Sequence, residues 1–136
     1  MEDLISLLYN GHHSLVVANG EVCTFNGRGI SDLYVLLTNN PGFLREASVA
    51  DKVVGKGAAA LMVLGGVQEV YAGVISTPAL NLFHKSGITV RFGQEVPNII
   101  NRTDDGICPV EQLCMDYATA AECLPVIRKF LGRNYL

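Results

Sequence analysis

No apolar run in the sequence reaches the roughly 18 residues that a membrane span needs. The opening Met1-Glu2-Asp3 lacks the basic start of a signal peptide. The expectation is a cytoplasmic protein with no membrane partner. Basic residues are also scarce: 10 Lys and Arg stand against 13 Asp and Glu, leaving a net charge of −3. A general nucleic-acid or anionic-membrane surface needs clustered Lys and Arg, so neither is expected. The four cysteines, Cys23, Cys108, Cys114 and Cys123, contain no CxxC spacing. In a cytosolic chain they read as reduced thiols, each a small buried hydrophobe. There is no internal repeat, linker or low-complexity tract.

What is present is a chain of 136 residues, 49% hydrophobic and 17% charged. That describes a globular protein with a proper core, and residues 1–136 are expected to form one domain.

In chain order, residues 2–9 place Leu4, Ile5, Leu7 and Leu8 on one helical face, ended by Asn10-Gly11. Ser14–Ala18 and Glu21–Phe25 read as strands joined through Asn19-Gly20, a two-residue hairpin signal. Ser31 caps a helix that Pro41 stops, and residues 42–48 are a connection or short turn. A long apolar helix is expected from about 49 to 64, capped by Ser48 and stopped by Gly65-Gly66. Val67–Ile75 is a strand rich in β-branched residues. Ser76 or Thr77 caps the next helix, with Pro78 in its first turn and Gly87 at its end. Ile88–Phe92 is a further strand, and Val96–Ile100 a short strand or loop. Helices are expected near Cys108-Pro109 and from Thr119 to about Phe130. Strand–helix–strand over 67–92 requires a parallel pair with a right-handed crossover, and the hairpin supplies an antiparallel one. The fold class is therefore α/β: three layers, α-β-α, around a mixed sheet of four or five strands.

This order resembles that of the cytidine-deaminase-like fold. Zinc deaminases of that fold carry His- or Cys-x-Glu at the start of a buried helix and Pro-Cys-x-x-Cys at the start of the next. Val49-Ala50-Asp51-Lys52 stands at the first motif and Thr77-Pro78-Ala79-Leu80-Asn81-Leu82 at the second. The metal-ligand positions are then Val49, Ala79 and Leu82, which offer no donor to zinc, while Asp51 keeps the acid. No metal and no cofactor are expected, and without the metal's activated water zinc-dependent deamination is not expected either. The stretches Ala50–Lys56, Val74–Ala79, Ile100–Thr103 and Gly106–Glu111 are similar to an uncharacterised prokaryotic family of unknown function grouped with that fold. The resemblance covers roughly residues 10–120. It also implies a homo-oligomer, a dimer or larger.

Seven polar side chains stand out. Asp51, Lys52 and Lys56 fall in the first turns of the expected central helix, where Lys52 and Lys56 share a face and suit an anion or nucleotide. The alternative is a solvated first turn. Thr77 would lie close to Asp51 if the resemblance holds, although capping alone accounts for it. Asn101 and Arg102 follow an apolar strand-like run, and Arg102 suits a phosphate or carboxylate. Cys108, before Pro109, is the thiol best placed for a helix N-terminus, with Glu111 either opposing the thiolate or supporting the helix. His12-His13 makes a poor chelating pair, because neighbours in an extended segment point to opposite faces.

Three functions follow from these groups. One is a module for a small anionic or nucleotide-like ligand using Asp51, Lys52, Lys56, Thr77, Asn101 and Arg102. Another is a metal-free enzyme with Cys108 as nucleophile and Asp51 or a lysine as acid–base partner. The third is an interaction protein with a degenerate pocket.

Overall fold

The computed structural model describes residues 1–27, 30–100 and 106–135. The order is α1 (Glu2–Asn10), β1 (Leu15–Asn19), β2 (Glu21–Phe25), α2 (Ser31–Asn39), α3 (Pro41–Leu44), β3 (Ser48–Val54) and α4 (Lys56–Gly65). Then follow β4 (Glu69–Ser76), α5 (Thr77–Lys85), β5 (Thr89–Val96), α6 (Pro109–Cys114) and α7 (Ala120–Tyr135). The five strands form one mixed sheet in the order β2-β1-β3-β4-β5. β1 is antiparallel to both β2 and β3, while β3, β4 and β5 run parallel.

The hairpin forms where Asn19-Gly20 places it. Gly20 takes the left-handed φ of +79° that closes the tight turn. The long helix expected over 49–64 does not form as one element. Its first half is strand β3, and only the second half is helical. Val49, Val53 and Val54 favour the pleated backbone, and Ser48 spends its hydroxyl on Glu69 Oε1 at 2.8 Å across the β3–β4 pair instead of capping a helix. Gly55 then ends the strand and stands at the N-cap of α4. Two β-α-β crossovers result, β3-α4-β4 and β4-α5-β5, where the sequence showed one. Gly66, at φ +79°, closes α4 in the left-handed cap expected of Gly65-Gly66.

Helices lie on both faces of the sheet. α1 covers one face with Leu4, Leu8, Val16 and Ala50. α2–α7 build the larger core on the other, around Val49, Val70, Ala72, Leu61, Met62, Phe83 and Ile127. α4 is its axis. Gly57, Ala58, Ala59 and Ala60 are buried there, and such small side chains let α5 and α7 approach closely.

The sheet is kinked in mid-strand. Val49 and Val54 point into the same core, as do Ala72 and Ile75, so the inward-facing parity changes along both strands. The change falls at Lys52 and Gly73, between the registered pairs Asp51↔Ala72 and Val53↔Val74. Gly73 is required there, because a Cβ would stand 2.7 Å from the Lys52 carbonyl and 2.7 Å from the Tyr9 hydroxyl. Beyond the kink, α1 no longer covers the sheet, and Val53 is left 50% exposed.

Candidate functional site

Ser76 is the N-cap of α5: its Oγ accepts from Ala79 N at 3.2 Å. Its own hydroxyl proton goes to Glu111 Oε1, 2.5 Å away. The same oxygen accepts from Lys56 N at 2.8 Å, the first amide of α4. Glu111 Oε2 accepts from Ile99 N. One fully buried acidic side chain, carried by the short helix α6, thereby ties together the starts of α4 and α5 and the segment after β5. Negative oxygen beside two helix N-termini is electrostatically favourable. The N-terminus of α4 therefore has its anion supplied from within the chain.

The predicted site residues distribute around this hub. Asp51 is half-buried in mid-β3, not at a helix start. Burial pushes its carboxyl up to about 7, against the pull of the Val53 and Lys52 backbone N–H groups. Lys52 and Lys56 share no helical face, since one is in β3 and the other in α4. The Lys52 ammonium lies 5.9 Å from the centroid of the Tyr9 ring of α1, a cation–π contact. The Lys56 ammonium instead donates to the Tyr117 carbonyl at 2.5 Å, in the α6–α7 connection. Thr77 donates to Glu95 Oε2 at 2.7 Å, which ties α5 to β5. Cys108 is half-buried at the N-cap of α6, and its N–H donates to the Ile99 carbonyl at 2.7 Å. Asn101 and Arg102 lie outside the described residues.

Val49, Ala79 and Leu82, where the resemblance would set zinc ligands, are buried apolar side chains and do not fit a metal. Among the described residues no group of three His, Cys, Asp or Glu side chains is placed to hold one. No described helix is long and apolar enough to cross a membrane.

An open groove of about 460 Å³ runs along the carboxyl ends of the three parallel strands. Val53 of β3, Val74 of β4 and Val96 of β5 form its floor, and Pro97, Ile99 and Ile107 are among its walls. An antiparallel bridge between Ile100 and Ile107 holds the wall segment. In parallel α/β sheets this end of the strands is where ligands bind.

Sequence reasoning read Glu111 only within its own helix start, as opposing the Cys108 thiolate or supporting the helix. The available signal was a single acid set among Val110, Leu113 and Cys114, with Gln112 the one other polar side chain of that helix. The groove was hidden because Val53, read in the apolar helix, and Val74, read in a strand, both look like core residues.

Known proteins agree with the fold. The chain is similar, at 22% identity, to a DUF1893 family protein (TM1506) from Thermotoga maritima of known crystal structure. The match has a TM-score of 0.87 and covers 94% of this chain and 87% of that one. No curated protein matches. Residues 3–131 match the family described as "TM1506: Domain of unknown function (DUF1893)", and the chain belongs to that family.

Proposed function

We propose that this domain binds a small amphiphilic anion, nucleotide-like in having an apolar body and a charged group. The observation that carries the reading is the groove at the carboxyl ends of β3, β4 and β5. Its floor of Val53, Val74 and Val96 suits a ring or short chain. In sequence, Lys52 immediately precedes Val53, and Asn101 and Arg102 directly follow Ile100, which lines the groove. These three are assigned to the anionic group. Lys56 and Thr77 bond within the chain and are assigned to holding the surrounding helices. The element order, with a hairpin ahead of two β-α-β units, supports a cytidine-deaminase-like scaffold that has lost its zinc ligands.

The test is a thermal-shift panel of nucleotides and phosphorylated metabolites, each beside its uncharged counterpart. Saturable stabilisation by a phosphorylated compound, reduced in Val74→Glu and in Arg102→Ala, is expected. Equal melting temperatures with every anion in the panel would exclude the reading.

A second reading, self-association, rests on β5. It is an edge strand with six of its eight residues exposed. Such an edge offers unpaired backbone groups to another chain. Light scattering at several concentrations tests it, and a monomeric mass throughout would exclude it.

A further inference from the structure

Cys114 closes α6 and Cys123 lies in the first turn of α7; both are fully buried and neither is in a disulfide. Cys123 Sγ approaches the Cys114 carbonyl at 3.9 Å, which sets the thiol of one residue against the other. The pair packs over the start of α4, where a Cβ on Gly57 would stand 3.9 Å from Cys114 Sγ.

Their environments push the two thiols apart. The neighbouring Cys114 side chain lowers Cys123 to about 7, burial opposes, the Lys56 ammonium adds to the lowering and Glu122 resists it. Cys114 moves the other way, raised by Cys123 and by burial. One sulfur is thus the better nucleophile and the other keeps its proton, the division of labour in a thiol pair that oxidises. Cys23 and Cys108 are half-buried and lie on β2 and at the head of α6.

We infer that Cys114 and Cys123 are a redox couple that closes reversibly to a disulfide, tying α6 to α7, when the chain meets a peroxide. The Cys123 thiolate attacks a peroxide oxygen, the O–O bond breaks, and the leaving oxygen departs as water. The resulting sulfenic acid is attacked by Cys114: the S–S bond forms, the S–O bond breaks, and a second water leaves with the Cys114 proton. Two thiols and one hydrogen peroxide give one disulfide and two waters. Access comes through residues 115–119, every one of which is exposed. α6 is only six residues long, so this corner can open without global unfolding. The corner includes Tyr117, whose carbonyl holds the Lys56 ammonium. Oxidation therefore acts on the strap that lies over the start of α4.

The test treats the 136-residue chain with hydrogen peroxide at neutral pH, alkylates it and maps the cysteines by mass spectrometry. The expected product is an intramolecular Cys114–Cys123 link, reversed by dithiothreitol, with Cys23 and Cys108 recovered alkylated. Cys114→Ser should leave Cys123 as a sulfenic acid that dimedone traps. Both thiols remaining alkylatable after treatment and unfolding, or links made chiefly to Cys23 or Cys108, would overturn the inference. A second measurement separates local opening from unfolding. In Gly73→Ala, a destabilised variant altered far from α6, the link should form at the wild-type rate. A rate that rises in step with the unfolded fraction would overturn it.

Discussion

Ser76 Oγ and Glu111 Oε1 stand 2.5 Å apart inside the protein, although 35 residues separate them in sequence. The serine caps its own helix with the same oxygen with which it donates to the acid. Through this contact α6, the shortest helix but one, fixes the starts of α4 and α5. Removing either partner leaves a buried polar group without its bond, which costs more than the bond's net worth.

Glu111→Ala should lower stability by about 3–5 kcal/mol, because Lys56 N, Ser76 Oγ and Ile99 N all lose an acceptor. Glu111→Gln should lose about 1–3 kcal/mol, since its amide sets a donor against one of the three donors. Urea unfolding midpoints check both. Equal losses for the two variants would mean that the side chain acts through packing alone.

Asp51 makes stability fall as pH rises. Its folded carboxyl sits at about 7, above its ordinary 3.8, so the folded chain binds more protons than the unfolded one between those values. The slope is therefore negative from about pH 4 to about pH 7, and flat above. Asp51→Asn keeps the acceptor for Val53 N and should flatten that slope, gaining ~1 kcal/mol at pH 8. Unfolding free energies at several pH values decide this.

Gly73→Ala should cost about 1–3 kcal/mol, as the new methyl meets the rigid Lys52 carbonyl. Gly42→Ala, where a Cβ meets nothing within 4 Å, is the matched control. Thermal melts of the pair give the difference directly.

Lys56→Met should remove the strap to Tyr117 and cost about 0.5–1 kcal/mol. It should also move the pH at which Cys123 becomes reactive upward, because the ammonium lowers that thiol. The pH profile of peroxide oxidation, followed by mass spectrometry, separates this effect from simple loss of stability.

Helix α7 shows how much can be read locally. Thr119 Oγ1 accepts from Glu122 N, and Glu122 Oε1 accepts from Thr119 N, a capping box contained in four residues. β3 shows the opposite case. Apolar residues from 48 to 64 satisfy a helical and a strand pattern alike, and the choice between them rested on pairing with β1 and β4. Misreading β3 carried Asp51 and Lys52 to a helix start that does not exist, and so misdirected the anion pocket expected there.

The sequence alone determined the hairpin at Asn19-Gly20, the stop at Gly65-Gly66, a cap at Ser76 or Thr77 and an α/β class with a mixed sheet. Each follows from backbone freedom and hydrogen bonds within a few residues, which the local chain carries wherever it folds. Only the tertiary structure decided that Glu111 meets Lys56, 55 residues away, that Cys114 faces Cys123, and that Val53 and Val74 floor an open groove. Those outcomes depend on which elements become neighbours and how far each covers the next, and no local preference encodes that.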